Sequence, residues 1–140
     1  MFQPRALVAD DCPLTAQVHA GLLESIGYRT AIVESGNAAA LEFYRATSGG
    51  DPYDLLLLDL DMPDGDGASA ARLIRAIETG PIRVTLVCAT GQPLALVETI
   101  CQSAGFDRIV AKPLNAEIVQ AWAGELRSLR FRAAGVSASR

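Results

Sequence analysis

Five polar side chains follow short apolar runs of this chain, and their chemistry is complementary. Asp10 and Asp11 follow the first run, and Asp59, Thr90 and Lys112 each end a later one. If the runs are strands of one parallel sheet, their carboxyl ends bring these side chains to a single edge. The set then combines acids, a hydroxyl and an ammonium, which suits metal binding and phosphoryl chemistry.

The carboxylates predict a site for a divalent cation. Converging carboxylates repel one another, and a second one raises a pKa strongly unless a positive charge lies between them. Mg²⁺ takes oxygen ligands in octahedral geometry and retains several waters. We expect Asp11, Asp59 and a backbone carbonyl near Asp61 to bind it directly, with Asp10 holding a coordinated water.

A carboxylate at a strand end is also a candidate nucleophile. Asp59 would form an aspartyl phosphate by attacking a phosphoryl group. Such transfer requires charge neutralisation on the equatorial oxygens, which the Lys112 ammonium offers, and the Thr90 hydroxyl can donate to another oxygen. Lys112 is the only lysine among 12 basic residues. This indicates that a compact, mobile ammonium is required at this position.

Short apolar runs alternate with longer amphipathic segments, which predicts a doubly wound α/β domain. The predicted strands are 6–9, 29–33, 53–58, 84–88 and 108–111, and the predicted helices are 14–25, 35–46, 68–79, 93–105 and 115–131. In the first helix, Leu14, Val18 and Leu22 form an apolar stripe. Short connections between alternating elements favour one five-stranded parallel sheet with helices on both faces.

Length and composition indicate an ordinary folded domain. The chain has 140 residues, 50% of them hydrophobic and 20% charged, with 16 acidic residues against 12 basic ones. This excludes disordered and collagen-like chains, and the acid excess counts against a nucleic-acid-binding module. We expect one domain over 5–130 and a frayed tail over 131–140, with neither a signal peptide nor a membrane span.

Several residues that resemble functional groups are better interpreted as structural. Three cysteines without a CxxC pair favour a reduced, cytoplasmic protein, and each is expected to be a small buried hydrophobe. His19 has no partner in metal-ligand spacing and is expected at the surface or half-buried. The remaining residues interpreted as structural are two loop carboxylates and two aromatic packing residues: Asp64, Asp66, Phe106 and Trp122.

Four motifs in order resemble the receiver domain of two-component response regulators, the CheY-like superfamily with a flavodoxin-like fold. They are ALVADDCP at 6–13, LLLLDLDMP at 55–63 with Gly67, TG at 90–91, and KP at 112–113. The resemblance covers about 5–129, which is essentially the whole chain.

The resemblance implies a role for each residue of the set. Asp59 would be the phosphoacceptor, Asp10 and Asp11 the acidic pair for Mg²⁺, Thr90 the switch hydroxyl and Lys112 the phosphate-binding lysine, joined to its proline by a cis peptide. The implied partners are a sensor histidine kinase or histidine phosphotransfer protein and a downstream protein. Neither nucleic acid nor membrane is expected as a partner, and the chain is expected to be a monomer or weak dimer.

Two positions differ in how well they match the family pattern. Cys88-Ala89 and Thr90-Gly91 could each occupy the position that the family fills with Ser or Thr. Thr90 is preferred because it lies 22 residues before Lys112, the usual separation in receivers. Ile109 stands where switching receivers carry Tyr or Phe, and an aliphatic side chain has no ring to swing inward behind the threonine.

Asp61 and Gln92 occupy the second positions after Asp59 and Thr90. In the family these positions border the phosphoryl group, so we hypothesise that both residues set the lifetime of the aspartyl phosphate. Two other functions remain open. One is a receiver-like binding module with impaired switching. The other is a haloacid dehalogenase-type phosphatase, whose chain order differs because its extra acids follow the lysine.

Overall fold

Five parallel strands form one sheet in the computed structural model, which describes residues 3–78 and 83–131. The strands are β1 (Arg5–Ala9), β2 (Arg29–Val33), β3 (Leu55–Asp59), β4 (Thr85–Thr90) and β5 (Arg108–Ala111). Their spatial order is β2-β1-β3-β4-β5. The order reverses between β1 and β3, so the carboxyl ends of these two strands flank the crevice at which such sheets bind ligands.

Five helices in the described part of the chain cover the two faces of the sheet. They are α1 (Pro13–Glu24), α2 (Gly36–Ser48), α3 (Gly67–Ile77), α4 (Leu94–Ala104) and α5 (Ala116–Phe131). Residues of α1 and α5 form one apolar cluster with the sheet, and residues of α2, α3 and α4 form the other. The predicted fold class is therefore confirmed.

β3 is the central strand, and its sequence explains why. All five of its residues are buried. Leu56 and Leu58 face the cluster with α2, α3 and α4, whereas Leu55 and Leu57 face the cluster with α1 and α5. A strand that is apolar on both faces is stable only where helices cover both sides.

Local signals determine where several helices begin. The Ser35 hydroxyl accepts from the backbone N–H of Ala38 at the start of α2, and an Asp66 carboxylate oxygen accepts from Ser69 at the start of α3. Asn115 caps α5 through the N–H of Ile118, as predicted. These side chains satisfy backbone donors that have no partner within the helix.

The buried face of α1 differs from the predicted stripe. Leu14 and Val18 are 73% and 51% exposed, and the helix instead buries Ala16, His19, Ala20 and Leu23. The small side chains of Ala16 and Ala20 let the helix lie close to the sheet. His19, expected at the surface or half-buried, is in fact only 1% exposed.

The cysteines divide into two environments. Cys88 and Cys101 are buried as predicted, and their sulfur atoms lie 3.6 Å apart. Cys12 is exposed, because it occupies the N-cap position of α1 beyond the end of β1. The prediction of a buried Cys12 is therefore wrong.

Phe106 and Trp122 pack in the two apolar clusters, as predicted. Within the described residues, no helix combines the length and apolar character needed to cross a bilayer. Of the predicted frayed tail, 132–140 lies outside the described residues.

Candidate functional site

Strand register brings the predicted side chains together at the carboxyl edge of the sheet. Ala9 pairs with Leu58, Asp59 with Ala89, and Thr90 with Ala111. The residues at or just after these strand ends are Asp10, Asp59, Thr90 and Lys112. The backbone N–H of Lys112 also donates to the carbonyl of Thr90 at 2.8 Å, which ties the two strand ends together.

Three carboxylates form the acidic cluster of the site. Asp10, Asp11 and Asp59 each place a carboxylate oxygen within 4.8 Å of the others. Asp10 and Asp59 are 2% and 5% exposed, whereas Asp11 is open to solvent. The cluster therefore has a buried floor and one accessible carboxylate at its mouth.

Asp10, Asp59 and Thr90 are each fixed by the same kind of bond, in which the side chain accepts a backbone N–H two residues further along the chain. An oxygen of Asp10 accepts from the N–H of Cys12 at 2.9 Å, one of Asp59 accepts from Asp61 at 3.2 Å, and the Thr90 hydroxyl accepts from Gln92 at 3.0 Å. Aspartate and threonine form such bonds with the backbone two residues on. In each aspartate, one carboxylate oxygen accepts this backbone bond and the other faces the site.

Lys112 lies between the two remaining oxygens. Its Nζ is 3.1 Å from Asp10 Oδ2 and 3.3 Å from Asp59 Oδ2. Burial acts to lower the pKa of the Lys112 ammonium, but its contacts with Asp10 and Asp59 outweigh this and raise the pKa. The ammonium therefore stays charged at neutral pH.

Burial also raises the pKa of the Asp59 carboxyl, and the nearby charge of Asp10 adds to the shift. The N–H of Asp61 and the Lys112 ammonium act in the opposite direction. The net result is a carboxylate that is less well stabilised than an ordinary surface aspartate. Such a carboxylate is more basic, which suits a nucleophile.

The donor set fits a hard divalent cation. Asp10 Oδ2 is fully buried, and the Lys112 ammonium lies 3.1 Å from it. A buried carboxylate oxygen beside two further carboxylates is the kind of oxygen-ligand environment that Mg²⁺ prefers. The Asp61 carboxylate is not part of this cluster.

Asp61 and Gln92 contact each other across the mouth of the site. Gln92 Nε2 lies 3.1 and 2.9 Å from the two carboxylate oxygens of Asp61, and both residues are exposed. The resemblance predicted that both residues border Asp59. The sequence did not indicate a bond between them, because they are 31 residues apart.

Gly67 allows the loop after β3 to close tightly on Asp59. Its N–H donates to the carbonyl of Leu60, and a Cβ at this position would lie 2.4 Å from the carbonyl oxygen of Asp59. Only glycine avoids this clash. Gly67, one of the residues that carried the resemblance, thus lets the first turn of α3 pack against the backbone of Asp59.

His19 is a contact of the site that the sequence did not reveal. Its Nε2 accepts a hydrogen bond from the backbone N–H of Leu114 at 3.3 Å, and the interaction is buried. Leu114 is two residues beyond Lys112, and the Lys112–Pro113 peptide is cis, as predicted. The sequence offered one indication that His19 is buried, because residue 19 lies on the same side of α1 as Ala16 and Leu23.

Ile109 lies half-buried in β5 and packs against the cluster with α2, α3 and α4. It borders an open groove of about 440 Å³ between α4 and β5, together with Leu94, Glu98 and Phe106.

Comparison with known proteins gives one consistent family. The sequence matches the family model described as the response regulator receiver domain over residues 6–122. It is 33% identical over 117 residues to Hybrid signal transduction histidine kinase L of Dictyostelium discoideum, which covers 81% of this chain and 7% of that protein. It is 31% identical over 127 residues to Sensor protein GacS of Pseudomonas syringae pv. syringae, covering 86% and 14%. The chain therefore spans a small part of these relatives.

A solved structure at comparable identity shares the fold. The receiver domain of sensor histidine kinase PA1611 from Pseudomonas aeruginosa PAO1 superposes with a TM-score of 0.72 at 33% identity, covering 88% of this chain and 99% of that one. That structure is described as having a magnesium ion coordinated in its active-site cleft.

Proposed function

The chain belongs to the response regulator receiver domain family, and we propose that Asp59 is its phosphoacceptor. The observation that carries this proposal is the position of the Asp59 carboxylate. One oxygen accepts the N–H of Asp61, and the other lies 3.3 Å from Nζ of Lys112, the only lysine of the chain. Family members are signalling phosphoacceptors rather than ordinary enzymes, and we infer that this chain modifies only its own Asp59.

The proposed reaction transfers a phosphoryl group from a phosphohistidine. The free oxygen of Asp59 attacks phosphorus, the P–N bond breaks, and its electron pair returns to the imidazole nitrogen of the donor. The product is an acyl phosphate on Asp59. Attack of water on phosphorus later breaks the P–O bond to the carboxylate and releases inorganic phosphate.

The neighbouring side chains of this site are suited to hold the transferred group. We infer that the Lys112 ammonium moves from Asp59 to a phosphoryl oxygen, because phosphorylation adds about −1.5 to −2 charges beside Asp10 and Asp11. We infer that the Thr90 hydroxyl donates to another oxygen, which requires its O–H to turn toward the site.

Mg²⁺ is the proposed cofactor, held by Asp11, Asp59 and a carbonyl near Asp61, with Asp10 holding one of its waters. When bound, Mg²⁺ would offset the negative charge of the carboxylates and the phosphoryl oxygens.

We propose that a sensor histidine kinase or histidine phosphotransfer protein is the phosphoryl donor and that a downstream protein reads the phosphorylated state. Neither nucleic acid nor a membrane is proposed as a partner, and the proposed state is a monomer or weak dimer. The cytoplasmic location remains a prediction from cysteine usage. The proposed domain bounds, 5–130, likewise remain a prediction.

A receiver-like binding module with impaired switching is the second candidate. Ile109 supports it, because an aliphatic side chain packed half-buried against the core has no ring to exchange between positions behind Thr90. The haloacid dehalogenase alternative has no support, because the acidic pair Asp10-Asp11 precedes Asp59 in the chain.

Incubation with acetyl phosphate and Mg²⁺, followed by intact mass measurement, tests the proposal. We expect one added phosphoryl group, which disappears with a chelator and in Asp59→Asn. Asp64→Asn is the matched control, since Asp64 is an exposed acid of the same loop outside the carboxylate cluster. Labelling of Asp59→Asn equal to that of the parent would contradict the assignment.

A further inference from the structure

The loop that carries Lys112 is held at two points, one on each side of the lysine. On the β4 side, the N–H of Lys112 donates to the carbonyl of Thr90 at 2.8 Å. On the α1 side, the N–H of Leu114 donates to Nε2 of His19 at 3.3 Å. Pro113, between them, has no N–H to donate. His19 is therefore the acceptor for the first backbone donor after the lysine.

The contact is well protected from water. His19 is 1% exposed and Leu114 is 3% exposed. Leu114 packs in the same apolar cluster as Ala16, Ala20 and Leu23 of α1. A buried backbone N–H without an acceptor is costly, so loss of the imidazole would favour a shift of the loop toward another partner or toward water.

We propose that His19 is a positioning residue that fixes Lys112 opposite Asp10 and Asp59 by accepting the Leu114 N–H. This inference rests on the proposed phosphoacceptor function and adds to it a residue from the buried face of α1. The helix begins directly after the acidic pair, so His19 connects the element that follows Asp10 and Asp11 to the loop that follows β5.

The bond specifies the chemical form of the imidazole. Nε2 accepts, so it carries no proton and the proton of the neutral ring resides on Nδ1. Burial lowers the pKa of His19, and the charges of Asp10 and Lys112 act on it in opposite directions. A doubly protonated ring would direct an N–H at the N–H of Leu114 and break the contact.

Three variants separate positioning from simple packing. His19→Leu removes the acceptor, His19→Gln retains an amide oxygen that accepts, and Leu23→Ala is a matched control that removes buried volume from the same helix face without touching the loop bond. We expect His19→Leu to slow phosphorylation by acetyl phosphate about tenfold, below the ~100-fold that a 1 Å misplacement can cost. We expect the Mg²⁺ affinity to stay within about twofold, because the carboxylate oxygen ligands are intact.

The single lysine provides a direct probe of position. Its ¹Hε/¹³Cε signals are the only ones of their kind in the chain, and we expect them to shift in His19→Leu but not in Leu23→Ala. His19→Gln should recover most of both the rate and the shift. An unchanged Lys112 signal and rate in folded His19→Leu, or equal changes in Leu23→Ala, would overturn the proposal.

Long-range ¹H–¹⁵N spectra of the histidine ring in the parent test the bond without any variant. We expect an unprotonated Nε2 and a protonated Nδ1 at neutral pH, and a protonated Nε2 would refute the assignment even if His19→Leu failed to fold. Failure of the proposed function itself is distinct, because then the parent would not be labelled on Asp59.

Discussion

Replacement of Lys112 by methionine removes the positive charge between two buried carboxylates and keeps most of the aliphatic stem. Lys112 Nζ lies 3.1 and 3.3 Å from oxygens of Asp10 and Asp59. At an effective dielectric constant of about 20, each contact corresponds to about 5 kcal/mol of Coulomb attraction. One oxygen of Asp10 and one of Asp59 lie within 4.8 Å of each other, which corresponds to about 3 kcal/mol of repulsion under the same assumption.

Lys112→Met leaves this repulsion uncompensated. Without a divalent cation at pH 7, we expect the free energy of unfolding to fall by about 3–5 kcal/mol, the usual loss when one partner of a buried ion pair is removed. Burial already raises the pKa of Asp59, and the substitution raises it further. The loss should therefore develop as the pH rises through this raised pKa and shrink at acid pH, where the carboxyl is protonated.

Urea unfolding followed by circular dichroism, with a chelator or with excess Mg²⁺, measures this loss. Mg²⁺ should stabilise Lys112→Met more than the parent, since it supplies the missing positive charge. Lys112→Arg is the control: it keeps the charge and should retain most of the stability, while impairing signalling more than acyl phosphate formation. A Lys112→Met protein as stable as the parent in chelator, or a loss that Mg²⁺ leaves unchanged, would refute the reasoning.

Three further predictions concern the surroundings of the site. Gln92→Ala frees Asp61 and opens the mouth of the site to water, so the acyl phosphate should hydrolyse severalfold faster; unchanged rates in both Gln92→Ala and Asp61→Ala would end the hypothesis that these residues set its lifetime. Gly67→Ala should lower the free energy of unfolding by about 1–3 kcal/mol through overpacking. Gly21→Ala, where a Cβ meets nothing within 4 Å, should instead stabilise α1 by roughly 0.5–1 kcal/mol. Equal thermal stability of the two variants would contradict this. Stability should fall as the pH drops below about 6.5, because burial lowers the pKa of His19 and the unfolded chain takes up the proton first; His19→Gln should flatten that part of the pH profile, and an identical slope in both proteins would argue against it.

The strands were predictable because polar residues bound each apolar run. β2 and β5 have the predicted limits, and β3 ends at Asp59, one residue beyond the predicted end. β4 continues two residues further than predicted, to Thr90. The extension has a physical cause: Thr90 pairs with Ala111 in the sheet, and its carbonyl accepts from Lys112. The end of β4 is thus determined by Lys112, 22 residues away, and the sequence around Thr90 does not predict it.

The packing of α1 was not predictable from hydrophobicity alone. Leu14 and Val18 form the stronger apolar stripe, yet the helix buries Ala16 and Ala20 with His19 between them. Close approach of the helix to the sheet selects small side chains over large ones. A histidine among them is then buried through its bond to Leu114, a tertiary contact that overrides the usual preference of the residue type.

The geometry reconciles two demands on Lys112 that conflict in a rigid site. Before transfer, its ammonium must offset the charge of Asp59, whose free oxygen is also the proposed nucleophile. After the proposed transfer, the same ammonium is expected to contact the phosphoryl oxygens. The backbone on either side of the lysine is fixed at Thr90 and at His19, while the side chain retains 20% exposure and a flexible four-carbon stem. A point charge on such a stem can change partners without moving the loop, whereas the planar fork of an arginine would be committed to one geometry. This difference gives a physical reason why the only lysine of the chain stands at this position.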